Sequence, residues 1–466
     1  MQKEVVNDIH SQLNPTTVLK VVEVTSVRQI QEVIHKARAQ RIPVCISGGR
    51  HAMGSQQFGS QMILIDMRKM NKVLSLDSKR GLVHLQAGIE WPELIQYLVK
   101  KQLKNKKQWS IIQKQTGGDH LTIGGCVGSN VHGRVLTRKP FINDVESFVL
   151  ITPEAKVVTC SRNEHSEWFN LVMGGYGLFG VVAAVTLRLM PRVKMRRVVE
   201  VILISQLKSS FEKRIKEGFS YGDWQFAING HNQDFLSKGI FSCYKPEPSY
   251  QGMPAGQREL SIEDWKKLLY LAHQDKDKAF EIYRTHYLAT SGQIYWSDLL
   301  QLSKYIDQYH LLVDKEEKTR QKATEIITEI YVPLDKIVSF MQQAKEYLAK
   351  NNLNIIYGTV RLIKKDDESF LAWAKEDYAC IIFNIHTIHT PKEIERSAKA
   401  FRKLIDIAIT LQGSYFLTYH KYATKQQVLA CYPQFPEFLK LKLKWDPGEV
   451  FQSNWYLHYK KMFNLN

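Results

Sequence analysis

Hydrophobic and polar positions along the first 190 residues alternate between a helical and an extended period. Ser26 with Gln29 forms a capping-box pattern, and Ile30, Val33, Ile34 and Ala37 then share one helical face. This predicts an amphipathic helix that stops before Pro43, followed by a short buried strand at Val44-Cys45-Ile46. Strand patterns recur at Met62–Met67 and Leu82–Ala87, and a helix is predicted from about Trp91, with Pro92 in its first turn. Glu164–Met173 reads as a helix, and the β-branched run Val181–Leu187 as a strand that ends at Pro191. Beyond Pro191 the texture changes. Residues 195–420 hold most of the tryptophan and tyrosine taken together, with longer helical stretches at Ser261–Gln274 and Pro391–Leu411. A second domain lined by aromatic side chains is the expectation.

Length supports that division, because 466 residues exceed the size at which one core stays single. Hydrophobic residues make up 44% and charged residues 24%, which excludes a mainly disordered or fibrous chain. Lys plus Arg is 64 and Asp plus Glu is 46, so the net charge is 64 − 46 = +18, which favours anionic partners. The six cysteines are scattered without a CxxC pair and read as reduced thiols. The first residues lack the profile of a secretory leader. The most apolar run, Leu178–Met190, contains Arg188 and is too short to span a bilayer. A cytoplasmic protein is expected.

Glycine clusters bring in the chemistry. Ser47-Gly48-Gly49-Arg50-His51-Ala52 can turn backbone amides toward an anion, as a pyrophosphate cradle does. A second cluster runs from Thr116-Gly117 through Thr122 and Gly124-Gly125 to Ser129 and His132-Gly133, and a third from Gly174 to Val182. Three such clusters suit a large ligand that backbone must approach closely. The formal GxGxxG at Gly175–Gly180 does not indicate a Rossmann site, because a helix precedes it and a strand follows, the reverse of that fingerprint. No Walker A motif is present.

The series Gly-Gly-Arg-His, Ile-Leu-Ile-Asp-Met, Gln-Ala-Gly, Leu-Thr-Ile-Gly-Gly, His-Gly and Gly-Gly-Tyr-Gly-Leu-Phe-Gly-Val-Val, in this order over about residues 15–192, resembles the FAD-binding domain of the vanillyl-alcohol-oxidase type flavoproteins. The resemblance implies an α+β fold, a PCMH-type two-subdomain FAD-binding domain over 1–192, an α+β substrate or cap domain over 193–429, and a segment at 430–466 that returns to the first domain. It also implies that Ser47, Gly48, Gly49, Arg50, His51 and Ala52 bind the FAD pyrophosphate. Thr116, Gly117, Thr122, Gly125, Ser129 and His132 would line the flavin and ribityl side, and Val182 would meet the adenine end. Covalent members of the family carry a histidine at the position of His51, which implies attachment of FAD there; Ala52 stands where the family more often has serine.

The C-terminal half narrows the resemblance. Thr418-Tyr419-His420-Lys421-Tyr422, Asp446-Pro447 and Phe451-Gln452-Ser453 are similar to the ends of aldonolactone and alditol oxidases and of decaprenylphosphoryl-ribose oxidase. This implies that Lys421 sits beside the flavin, although Tyr419-His420 replaces the usual His-Trp-x before that lysine. Tyr357–Arg361 resembles the strand that supplies a basic residue to the substrate, here Arg361. Phe383–His386 resembles its neighbour, with Asn384 and His386 on one face. Glu329, before Tyr331-Val332-Pro333, is a further candidate to face the pocket. His386 and His389 point to opposite faces of a strand, so no metal site is expected there. The implied activity is FAD-dependent oxidation of a CH–OH group of a sugar, polyol or aldonolactone, with oxygen or another acceptor taking the electrons. The rivals are a dehydrogenase or epimerase-type oxidase acting on a lipid-linked sugar, and a flavin-binding protein without turnover. Basic runs at Lys100–Lys107 and Arg192–Arg197 lack any nucleic-acid motif and suit peripheral attachment to an acidic membrane.

Overall fold

The computed structural model describes residues 4–303, 309–316 and 321–464. Near the start of the chain, Lys20–Glu23, Ile63–Asp66 and Val44–Ser47 form a parallel three-stranded sheet with Ile63–Asp66 central. Parallel neighbours need a crossover, and helix Val27–Gln40 supplies one. Ser26 caps it by accepting from the Gln29 backbone N–H, and Ile30, Ile34 and Ala37 are buried against Ile63 and Ile65. The helix ends at Gln40, where Arg41 turns left-handed at φ 54°. The chain's last segment returns to this sheet. Val44 N–H donates to the Val450 carbonyl at 2.7 Å, and Gln452 N–H donates to the Val44 carbonyl at 2.9 Å.

A five-stranded antiparallel sheet follows, in the order Val157–Ser161, Val145–Ile151, Val181–Arg188, Leu82–Gln86, Val73–Asp77. Its middle strand, Val181–Arg188, is the β-branched run after the third glycine cluster, and helix Ser166–Val172 precedes that cluster. The order is therefore helix, loop, strand, as the sequence indicates. The second glycine cluster is only partly a loop, because Thr122 caps a short helix, Ile123–Ser129, by accepting from Gly125 N–H.

From Lys194 onward the dominant feature is one eight-stranded sheet. Its order is Ile294–Trp296, Lys194–Leu203, Lys238–Pro246, Tyr221–Phe226, Ile355–Ile363, Tyr378–Ile388, Ala323–Pro333, Ser414–Tyr415. Every neighbouring pair is antiparallel. Register sorts the side chains of the three long central strands onto two faces. One face, with Ile326, Ile330, Val360, Ile381, Phe383 and Ile385, packs on helices Ile337–Lys350 and Pro391–Thr410 through residues such as Phe340 and Phe401. The opposite face is polar. It aligns Arg361 with Cys380, Glu329 with Ile382, Asn384 with both Ile327 and Tyr357, and Glu325 with His386. Helices Ile262–Gln274 and Lys276–Ala289 stand across from that face.

The extended pattern at Tyr415–Tyr419 shrinks to a two-residue edge strand, Ser414–Tyr415. The rest leaves the sheet because the first part of the chain takes its carbonyls. Met53 N–H donates to Thr418 O at 3.0 Å, and the Gln56 side-chain amide to Leu417 O at 2.7 Å. All six cysteines are buried and unpaired. Among the described residues no helix is long and apolar enough to cross a membrane.

Candidate active site

A narrow cavity of about 120 Å³ runs between the glycine clusters. Its wall contains Ser47, Gly48, Gly49, Arg50, His51 and Ala52 from the first cluster, Thr122, Gly125 and Ser129 from the second, and Val182 beyond the third. The glycines there are steric requirements. A Cβ on Gly48 would lie 2.0 Å from Thr122 Oγ1, and one on Gly49 2.3 Å from the His120 carbonyl oxygen. Asp66 steadies the loop from below, accepting from Arg50 at 3.1 Å and from Arg68 at 2.6 Å. Burial alone would raise the Asp66 carboxyl, but the two arginines outweigh it and hold it below its ordinary value.

Four buried polar atoms on this wall have no hydrogen-bond partner among the described residues: Ser47 Oγ, Arg50 Nε, His51 Nε2 and Gln57 Oε1. Buried polar groups are rarely left so, and four on one cavity mark a place where a polar ligand completes them. His51 is the junction of the site. Its Nδ1 lies 2.9 Å from His10 Nε2, and it borders both this cavity and a larger chamber, as do Ala52, Leu121 and Ser129. Burial, then the neighbouring His10, push His51 well below the usual histidine value, so its imidazole is neutral.

The chamber has a volume of about 920 Å³. Thr116 and Gly117 border it, with Arg361, Asn384, Thr418 and Tyr419 from the polar face of the large sheet and its edge. Arg361 is 2% exposed, and its Nε and Nη1 have no partner. Behind the wall lies Glu329, fully buried, accepting from the hydroxyls of Tyr331 at 2.8 Å and Tyr419 at 3.2 Å. His132 Nε2 meets the same carboxylate. The other ring nitrogen, Nδ1, lies 2.9 Å from the Gly133 carbonyl oxygen. Burial would raise the Glu329 carboxyl, yet His132, Arg361 and Tyr331 together hold it below its ordinary value. Burial and the Glu329 charge push the Tyr419 hydroxyl well above its own, so Tyr419 stays protonated and bridges the chamber to an ionised carboxylate.

Several expected positions fall elsewhere. His132 lines neither cavity, because Glu329 and Gly133 hold it inside. Lys421 is half-buried behind the wall, its Nζ 3.5 Å from the Gly54 carbonyl, and desolvation lowers its ammonium. His386 stands on the same face as Asn384 but turns to Glu325, 3.3 Å away. Sequence patterns name His132 and Glu329 separately but not their pairing, and they do not mark Gln57 or the Tyr419 hydroxyl. Glu329 alone had a signal, a carboxylate in an otherwise apolar strand.

Residues 18–161 match the FAD binding domain family, over the same strands and loops that build the narrow cavity. The first part of the chain is an FAD-binding domain, and the protein is a flavoprotein. Residues 296–459 of the flavoprotein match the D-arabinono-1,4-lactone oxidase family, which takes in the strands carrying Glu329, Arg361 and Asn384. Similar curated proteins include L-gulonolactone oxidase of Bos taurus, 26% identical over 41% of this chain and 42% of its own length. Cytokinin dehydrogenase 1 of Arabidopsis thaliana is 26% identical over 41% of this chain and 33% of its own. L-galactono-1,4-lactone dehydrogenase 2, mitochondrial, of Oryza sativa subsp. japonica is 30% identical over 33% of this chain and 25% of its own. The flavoprotein thus spans less than half the length of these relatives.

Proposed function

We propose that the protein oxidises a CH–OH group of a sugar, polyol or aldonolactone and passes the electrons to oxygen. Bound FAD supplies the hydride acceptor, and the protein supplies position and electrostatics. The observation that carries this reading is Arg361, a buried guanidinium whose Nε and Nη1 lack partners on the wall of a chamber that adjoins the cofactor cavity. Those two N–H groups suit the oxygen of a hydroxyl or lactone and fix the carbon that bears it. Proton removal falls to Glu329 through Tyr419, a residue of the chamber wall whose hydroxyl donates to that carboxylate. Asn384 and Gln225, also on the wall, offer neutral polar contacts to further hydroxyls. We assign His51 as the residue available for covalent attachment of the cofactor, since its imidazole is neutral and buried on the cavity wall.

Oxygen uptake across a panel of aldonolactones, sugars and polyols tests the reading. Uptake with peroxide release is expected, and its loss in Arg361→Met ties it to this chamber. No uptake and no anaerobic flavin reduction by any member would leave a flavin-binding protein without turnover. One observation favours a second reading. The chamber lies at the upper end of the roughly 300–1,000 Å³ usual for ligand pockets. Its far wall carries Trp265, Phe280, Leu268 and Leu269. A sugar joined to an apolar chain would use that wall, and a lipid-linked substrate belongs in the same panel.

A further inference from the structure

A second polar cluster lies on the same sheet face, at the end of the chamber away from Glu329. Glu325 and His386 are directly opposed in the antiparallel pairing of Ala323–Pro333 with Tyr378–Ile388, so their side chains project together. His273 comes down on them from the last turn of helix Ile262–Gln274. The His273 and His386 rings are 4.7 Å apart between centroids and nearly perpendicular, at 84°. Nδ1 of His386 is 3.3 Å from Oε1 of Glu325. One ligating atom from each of the three residues lies within 4.8 Å of the others.

We propose that His273, Glu325 and His386 form a divalent metal site, best suited to Zn²⁺, which clips the helix pair over the chamber to the large sheet. Two imidazoles and one carboxylate are a ligand set that zinc takes with a fourth position open. Bonds of about 2.0–2.1 Å in tetrahedral array set donor atoms about 3.3 Å apart, the separation of the His386–Glu325 pair, so only the His273 ring needs to close in. Histidine binds a metal as the neutral ring. The Lys276 ammonium near the cluster is held by Asn354 Oδ1 at 2.7 Å and by the Ile355 carbonyl. It opposes a cation, and the Glu325 carboxylate offsets it.

The location gives the site a role. Glu325 borders the chamber, and the helices Ile262–Gln274 and Lys276–Ala289 contribute Trp265, Leu268, Phe280 and Tyr283 to its wall. His273 joins the end of the first helix to the sheet, so a bound ion would fix the distance between the two sides of the chamber. Glu325 borders the chamber, so water or a substrate oxygen would complete the fourth position. The site stands on its own residues and does not depend on which alcohol is oxidised.

The test uses the 466-residue flavoprotein with a tag that contains no histidine. Protein stripped with chelator, incubated with zinc chloride and gel-filtered should retain roughly one zinc per chain by mass spectrometry. Its unfolding midpoint should rise with added zinc, because the ion binds only the folded form. His273→Ala and the near-isosteric Glu325→Gln should each cut retained zinc to below about a tenth while the flavin absorbance stays. Wild-type protein that retains less than that with no shift in midpoint overturns the proposal. So does a folded Glu325→Gln protein that holds zinc as the wild type does.

Discussion

Replacing Arg361 with methionine separates function from folding at one position. The side chain is 2% exposed, and its Nε and Nη1 have no hydrogen-bond partner among the described residues. Each unmet buried donor costs roughly 1–3 kcal/mol, a cost that methionine of similar length removes. The same change takes a positive charge away from Glu329, which His132, Tyr331 and Tyr419 continue to hold. These two effects oppose each other, so the stability change should stay within about 1–2 kcal/mol. Catalysis should respond far more strongly. Losing one preorganised donor to a developing oxyanion costs about 2.7–4 kcal/mol, or roughly 10²–10³-fold. The assay is anaerobic stopped-flow bleaching of the flavin by an aldonolactone, beside thermal unfolding of both proteins. Arg361→Lys should fall between the two, because one ammonium keeps the charge but lacks the planar fork. Reduction within about threefold of wild type in a folded Arg361→Met protein would remove the guanidinium from the reaction.

Gly48→Ala should yield colourless protein, because its Cβ would meet Thr122 Oγ1 at 2.0 Å; an unchanged flavin content by absorbance would contradict the cavity assignment. His51→Ala should abolish flavin fluorescence that stays with acid-denatured protein on a gel, whereas wild type keeps it. Lys421→Ala should slow flavin reduction by less than about tenfold, since its ammonium rests at the Gly54 carbonyl; a hundredfold loss would restore the flavin-side role implied by resemblance. Glu329 titrates below its unfolded value, about 4.3, so its stabilising contribution is complete above that pH and is lost as pH falls through the lower folded value. Glu329→Gln should flatten this acid limb in urea unfolding, and an identical limb in both proteins would refute the ionised carboxylate.

Local signals made much of this molecule legible. The cap at Ser26, the turn before Pro43 and the helix–loop–strand order around Gly175–Gly180 rest on neighbours in sequence, and the structure reproduces them. Glycine clusters that looked like loops proved to be walls of one cavity, because their function is to let backbone come close. What sequence hid was contact across distance. His132 and Glu329 are 197 positions apart and meet only when a loop of the first part packs on the fifth and seventh sequential strands of the large sheet's polar face. Arg361 looks like a surface charge on its own strand until register sets it among Cys380, Tyr357 and Asn384. Lys421 is the opposite case. Its motif is recognisable, but the edge strand ends at Tyr415, and the following backbone is drawn toward Met53 and Gln56, which leaves the ammonium behind the wall.

The central claim is most directly tested by the visible spectrum of the purified protein, recorded anaerobically before and after an aldonolactone or polyol is added. An oxidised flavin spectrum that bleaches with substrate and returns on admitting air is the predicted result. Protein that stays colourless after incubation with FAD, or a flavin that no lactone, sugar, polyol or lipid-linked sugar bleaches, would contradict the account.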